Sequence, residues 1–243
     1  MKEVLLQIQS NLPLTESVYE MRLTGDVSAI TASGQFVNIK LEGLFLRRPI
    51  SVCDVENGVL TLLYKVVGKG TEKMANMQAG ETLNVLVGLG NGYDLSLSGS
   101  APVLMGGGVG VPPMYMLAKE LIKQGKKVTA ILGFNTQAEV FYEEEFKRLG
   151  ATVIVTTADG SYGQKGFVTD ALKGVDYTYF YTCGPEPMLK AVFKATNTSG
   201  QFSFEERMGC GFGACMGCSC KTVTGYKRIC KEGPVLVKEE ILW

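Results

Sequence analysis

Short apolar runs broken by turn residues fill the first hundred positions. Glu3–Gln9, Ser17–Leu23, Gln35–Leu41, Ile50–Val55, Leu60–Val67 and Thr82–Val87 are rich in Val, Leu, Ile and Tyr, with Gly, Asn and Asp between them. Runs of that length and content are strands. Asn57-Gly58 between two of them is a tight-hairpin signal. Six strands at this spacing predict a small closed barrel or sandwich over residues 1–98, with Asn91-Gly92 and Ser96–Ser100 as connector.

The period then changes. Pro102–Met105 is a short apolar strand leading through Gly106-Gly-Gly-Val-Gly-Val-Pro-Pro113 into a helix. Met114, Leu117, Ala118, Leu121 and Ile122 share one face of that helix, and Gly125 ends it. Strands are expected at Lys127–Phe134, Thr152–Thr156 and Tyr177–Thr182. Helices are expected at Tyr142–Leu149, at Lys165–Leu172 and after Cys183-Gly-Pro-Glu-Pro. Alternating β and α segments predict a doubly wound parallel sheet over residues 99–200. Residues 201–243 form a third, cysteine-rich unit.

Composition adds exclusions. The 243 residues are 46% hydrophobic, and 24 Lys and Arg balance 24 Asp and Glu, so nothing marks a nucleic-acid or anionic-membrane surface. No run of eighteen apolar residues predicts a membrane span, and the start lacks a signal peptide's apolar core, so the cytoplasm is the expected compartment. Seven cysteines in that compartment point to metal or redox chemistry. Histidine is absent. That excludes Rieske ligation, Ser-His-Asp triads and a histidine base, and leaves a bound cofactor as the natural carrier of any chemistry.

Four cysteines fall within eleven residues, and the run reads Cys210-x4-Cys215-x2-Cys218-x11-Cys230. The first three match the start of a plant-type [2Fe–2S] ligand run. Gly209, Gly211, Gly213 and Gly217 let the backbone wrap closely and point N–H groups at sulfur. A four-thiolate zinc site is the alternative, and buried or redox-active cysteines a third reading. Cys220 reads as a non-ligand.

Three further stretches carry candidate chemistry. Gly106, Gly107, Gly108, Val109 and Gly110 sit where a strand hands over to a helix, a place that favours a pyrophosphate; a plain tight turn is the bland reading. Cys183, Gly184 and Pro185 end a strand of the same sheet and leave room for a flat ring, or else form a buried cysteine before a helix start. Arg48, Pro49, Ile50 and Ser51 open a strand with a phosphate-binding arginine, or a solvated basic edge. Leu63, Tyr64 and Lys65, with Gly70 and Thr71, add stacking, charge and backbone donors.

Taken in order, these motifs resemble the electron-transfer subunits of the B-type, NAD-linked dihydroorotate dehydrogenases, within the ferredoxin-reductase superfamily. The resemblance covers nearly the whole chain, although the gap of eleven before Cys230 is short beside many relatives. It implies an FAD-binding barrel, with Arg48–Ser51, Leu63–Lys65, Gly70 and Thr71 holding the flavin. It implies NAD at Gly106–Gly110 and Cys183–Pro185, with Ser51 and Cys183 as ring contacts, and Cys210, Cys215, Cys218 and Cys230 as [2Fe–2S] ligands. It further implies an FMN-containing catalytic subunit that oxidises dihydroorotate in pyrimidine biosynthesis, in a heterotetramer of two of each chain. A flavin–iron–sulfur subunit of a sulfide dehydrogenase or a ferredoxin:NAD(P) oxidoreductase is the neighbouring alternative. A non-catalytic zinc-bearing module is the alternative of another class. NAD over NADP is expected because Gly133–Thr136 offers no arginine, unless Lys147 or Arg148 folds over the ribose.

Overall fold

The computed structural model describes residues 1–243. Six antiparallel strands close the N-terminal barrel: β1 (Lys2–Pro13), β2 (Val18–Thr24), β3 (Phe36–Lys40), β4 (Arg48–Glu56), β5 (Val59–Lys65) and β6 (Thr82–Leu89), in the order β1-β2-β5-β4-β3-β6. Val4, Leu6 and Ile8 of β1 alternate inward, as do Leu60, Leu62 and Tyr64 of β5. Burying each such side chain stabilises the barrel by roughly 1.5–3 kcal/mol. The turn read at Gly68–Thr71 continues into a helix, α1 (Lys69–Ala75), because Thr71 closes its N-terminus with its own hydroxyl.

The second unit comprises β7 (Pro102–Gly107), α2 (Pro112–Lys123), β8 (Thr129–Phe134), α3 (Glu143–Leu149), β9 (Thr152–Thr157), β10 (Gln164–Lys165), α4 (Val168–Leu172), β11 (Tyr179–Cys183), α5 (Glu186–Ala195) and β12 (Gly200–Ser203). The tail adds β13 (Ser219–Thr222), β14 (Gly225–Arg228) and β15 (Val235–Val237). The sheet order is β10-β9-β8-β7-β11-β12-β15, parallel except for β15. Leu104, Leu132 and Val155 meet α2 and α3 on one face, while Val103, Met105 and Ile131 meet α4 and α5 on the other. Those strands are buried on both faces, which explains their nearly continuous apolar runs.

One helix is shorter than the sequence implies. Lys165 belongs to β10, and the helix expected at Lys165–Leu172 begins at Val168. Gly166 lies at φ +120°, outside helical space, and Asp170 accepts the Phe167 N–H at 3.0 Å as a cap. Tyr142, expected inside the next-earlier helix, precedes α3 in a left-handed conformation, φ 65°.

The three units are knit together. Barrel residues Val18, Cys53 and Leu63 join the α2–α3 side of the core. Lys119 on α2 meets Asp54 (2.8 Å) and Glu56 (3.1 Å) of β4. Phe36, Leu86 and Leu89 of the barrel share a third core with Cys218, Ile229 and Cys230. Asn91 clasps the tail: its Nδ2 donates to Val235 O (2.8 Å), and its Oδ1 accepts from Val235 N (3.0 Å).

Candidate functional site

β7 and β11 are neighbours, with Cys183 directly opposite Gly106. Their outgoing loops therefore lie side by side at the strands' C-terminal ends, where open α/β sheets bind ligands. Gly108–Gly110 forms one 3₁₀ turn, followed by α2 with prolines in its first turn. A Cβ on Gly110 would stand 2.2 Å from the Cys183 carbonyl oxygen. Gly107 and Gly184 both face Met188 Sδ, at 2.4 and 2.7 Å from their would-be Cβ atoms. The two glycine segments thus make a side-chain-free shelf at the start of a twelve-residue helix, whose N-terminus favours anions. Burial pushes the Cys183 thiol up to about 12, so it stands neutral beside the shelf.

Next to the shelf, Asn135 at the end of β8 binds Glu139 twice, from N at 3.0 Å and from Nδ2 at 2.9 Å. A carboxylate is therefore fixed near the strand end. Lys147 is held by Glu143 and Glu144, and Arg148 by Glu145, all on α3. Neither cation turns toward the strand end.

In the barrel, Arg47 and Arg48 part company. Arg47 binds Glu3 and the carbonyls of Asn38 and Asn84. Arg48 bonds only to the carbonyls of Leu46 and Arg47 and pairs with no carboxylate. Its guanidinium lies over Gly70, where a Cβ would meet Nε at 2.0 Å. Arg48, Gly70 and Thr71 therefore come together as a cradle with an uncompensated positive charge, which fits a flavin nucleotide's phosphate. Pro49 is exposed, and Ile50 and Ser51 are half-buried along β4. Leu63 packs toward the α/β unit. Tyr64 turns inside the barrel, its hydroxyl donating to Asn11 Oδ1 at 2.8 Å and its ring stacking on Tyr19 at 5.9 Å. Its ring is thus committed to the core, and its backbone is what it offers a ligand. Lys65 reaches Glu139 of the other unit at 3.9 Å.

The cysteine loop is built around sulfur. Cys210 Sγ accepts N–H groups from Phe212 (3.5 Å), Ala214 (3.2 Å) and Cys215 (3.4 Å). Cys215 Sγ accepts from Cys210 N at 3.5 Å, and Cys218 Sγ from Cys230 N at 3.4 Å. Burial opposes ionisation of Cys210, but these N–H donors and the Cys215 thiol outweigh it and bring the thiol down to about 6. Burial and the neighbouring Cys218 push Cys230 up to about 12. Backbone N–H groups link the cysteines in two pairs, Cys210 with Cys215 and Cys218 with Cys230. A two-iron cluster takes two thiolates on each iron, whereas zinc gathers four about one centre. The arrangement fits the cluster. Gly211 and Gly213 alone of the four loop glycines adopt positive φ; Gly209 and Gly217 instead lie within about van der Waals distance of Cys215 Sγ, at 3.2 and 3.5 Å from their would-be Cβ atoms.

The segment between Cys218 and Cys230 is the β13–β14 hairpin, turned at Val223-Thr224. Cys220 lies on β13 opposite Lys227, at the border of the core, with its thiol raised by burial. Two contributors escape sequence reasoning. Arg228 donates to Gly213 O at 2.6 Å and is itself held by Glu232, whose carboxyl that contact brings down to about 2. Asn38 of β3 donates to Cys210 O at 3.4 Å. The Asn38 contact joins residues 172 positions apart, and the Arg228 contact residues 15 apart.

A barrel, an α/β nucleotide unit and an appended thiolate loop define an iron–sulfur oxidoreductase of ferredoxin-reductase architecture. Comparison with known proteins narrows this. Residues 205–242 match the iron–sulfur cluster binding domain of dihydroorotate dehydrogenase B, and residues 104–194 match the oxidoreductase NAD-binding domain. The dihydroorotate dehydrogenase B (NAD(+)) electron transfer subunit of Fusobacterium nucleatum is 44% identical, over 96% of both chains. That of Bacillus caldolyticus is 43% identical, over 98% of this chain and 97% of its own. Among solved structures, the NADH-dependent reduced ferredoxin-NADP oxidoreductase superposes with a TM-score of 0.89 at 30% identity, over 99% of this chain and 90% of that one. A ferredoxin NADP+ reductase from Neisseria gonorrhoeae, at 20% identity and a TM-score of 0.71, shares the fold over 80% of this chain and 90% of its own. The chain belongs to the family of dihydroorotate dehydrogenase B (NAD(+)) electron transfer subunits. The cofactors that go with this membership are a [2Fe–2S] cluster, FAD and NAD. As an electron transfer subunit it works with a separate catalytic subunit, and the sulfide-dehydrogenase or ferredoxin-reductase alternative is not favoured. No helix is long and apolar enough to cross a membrane.

Proposed function

We propose that this chain collects electrons from an FMN-containing subunit that oxidises dihydroorotate to orotate, and delivers them to NAD⁺ in the cytoplasm, within an assembly of two of each chain. When bound, the cluster would supply one-electron transfer and the flavin hydride exchange with a nicotinamide, so the reaction chemistry would reside in the cofactors. The protein's work is placement. Cys210 and Cys215 would hold one iron, and Cys218 and Cys230 the other. Arg48, Gly70 and Thr71 receive the flavin's phosphate, while Pro49, Ile50, Ser51, Leu63, Tyr64 and Lys65 line its ring through β4 and β5. Gly106–Gly110 and Cys183–Pro185 receive NAD. Residues 1–98, 99–200 and 201–243 divide these tasks, with β12 carrying the second unit's sheet on to Ser203.

The observation that carries the reading is adjacency. The cysteine loop rests on β3, through Asn38, and β3 is hydrogen-bonded to β4, with Phe36 opposite Ser51. The glycine shelf begins α2, which packs on β4. Two hydrogen-bonded strands, β3 and β4, thus link the cluster loop to the helix that begins at the nucleotide shelf. The neutral Cys183 thiol places no charge beside a nicotinamide ring, which is cationic in NAD⁺ and neutral in NADH, and the fixed Glu139 carboxylate repels a 2′-phosphate, so NAD is taken over NADP.

Anaerobic purification after co-expression with an FMN-type dihydroorotate dehydrogenase subunit tests the reading. Two irons, two sulfides and one FAD per chain, a co-purifying partner at equal stoichiometry, and dihydroorotate-driven NAD⁺ reduction are expected. A colourless chain holding one zinc, or comparable kcat/KM for NAD⁺ and NADP⁺, would refute the corresponding part.

A further inference from the structure

Asn38 is 1% exposed. Its neighbours Val37 and Ile39 point into the barrel, so the strand's period of two sends Asn38 outward, under the cysteine loop. Nδ2 donates to the Cys210 carbonyl at 3.4 Å. Gly211, at φ +79°, comes so near that a Cβ there would stand 2.3 Å from Nδ2. Oδ1 is buried and has no partner. The amide's orientation follows from chemistry: turned over, Oδ1 would face the Cys210 carbonyl, acceptor against acceptor. On its barrel side Asn38 is paired in register with Pro49 of β4, and its own carbonyl accepts from Arg47 Nη1 at 3.2 Å.

A buried amide with half its capacity unused is uncommon in an ordinary core. Here it joins a ligand's peptide to the strand beside the flavin strand. We propose that Asn38 is a positioning residue that anchors the Cys210 limb of the loop to the flavin-bearing strands and raises the cluster's potential with its amide dipole. The inference rests on Cys210 being an iron ligand and β4 holding flavin. The NH₂ end, the positive end of the amide, faces the loop. Reduction adds negative charge to the cluster, and a fixed positive dipole end favours the reduced form. Each cluster oxidation releases one electron to the flavin, so two must pass per hydride formed. Register and potential at this contact therefore govern both passages.

The test uses the whole flavin- and iron-loaded chain with Asn38→Leu and Asn38→Asp. Leu removes the donor at similar volume; Asp places a like charge beside the loop. Iron and flavin per chain are assayed first, and the cluster is then titrated under anaerobic conditions, followed by electron paramagnetic resonance. The expected order of midpoint potentials is wild type, then Leu, then Asp. Asp should shift the electron's distribution between cluster and flavin at least tenfold toward flavin, which for one electron is about 59 mV. Loss of iron from Asn38→Leu at full flavin content would also support the anchor. Fully loaded variants whose distribution stays within twofold of wild type would overturn it. Cys210→Ser separates the premises: iron that survives this change at full occupancy removes the ligand assignment itself, whatever Asn38 does.

Discussion

Gly110→Ala should disable the nucleotide shelf while its neighbour tolerates the same change. The methyl would lie 2.2 Å from Cys183 O, 2.4 Å from Cys183 C and 2.7 Å from Gly184 Cα. Carbon–oxygen contacts settle at about 3.3 Å, so the end of β11 or the start of α2 must move by roughly 1 Å. All three obstructing atoms are backbone, which no rotamer can withdraw. Overpacking of this kind costs about 1–3 kcal/mol of stability. A 1 Å displacement of a substrate-positioning segment costs on the order of 100-fold in rate. Gly108 provides the contrast: at φ +52° with nothing within 4 Å, alanine there carries only the left-handed conformational penalty. That is about 1 kcal/mol, or roughly fivefold. The assay is NADH-driven ferricyanide reduction by the flavin-loaded chain, with flavin content and thermal midpoint recorded alongside. Gly110→Ala is expected to lose about 100-fold in kcat/KM at full flavin content. Equal effects of the two substitutions, or an unchanged Gly110→Ala, would refute the shelf.

Three other outcomes are expected. Cys215→Ser abolishes the cluster's visible spectrum and dihydroorotate-coupled NAD⁺ reduction while FAD stays bound; a fully coloured, coupled variant would contradict the ligand assignment. Cys220→Ser keeps two irons per chain, because Cys220 lies on the β13–β14 hairpin outside both thiol pairs; iron assay decides it. Lys119→Met strands Asp54 between barrel and α/β unit and costs about 3 kcal/mol, by analogy with broken buried pairs. Burial lowers the Lys119 pKa, but hydrogen bonds to Asp54 and Glu56 outweigh it and leave it above the ordinary 10.5. Because the folded value is raised, the stabilisation is complete below 10.5 and fades as pH rises beyond it. The wild-type thermal midpoint should therefore fall more than that of Lys119→Met between neutral pH and pH above 10.5; parallel falls would contradict the linkage.

The strand runs of the barrel, the βα alternation and the order of the motifs were legible in the residues because each is a local pattern. Period, turn chemistry and cysteine spacing act over a few positions, and the physics that shapes them is equally local. The start of α4 is also set locally, by Gly166 and the Asp170 cap, and lies three residues beyond the expected Lys165. What needed the tertiary structure was every relation across distance. β12 and β15 are four and three residues long, too short to stand out, and exist as strands because Phe202 and Leu236 are brought opposite one another. Tyr64 reads as a residue that can stack on a ligand, and closure of the barrel commits its ring to Asn11 and Tyr19, leaving its backbone on the ligand side. Arg47 and Arg48 are adjacent in sequence, yet only the fold gives Arg47 a carboxylate and leaves Arg48 without one. The cysteines alone declared a thiolate site. Their division into two pairs is still local, over five and twelve positions, but the placing of one limb on Asn38 arose from long-range packing that no window of sequence contains.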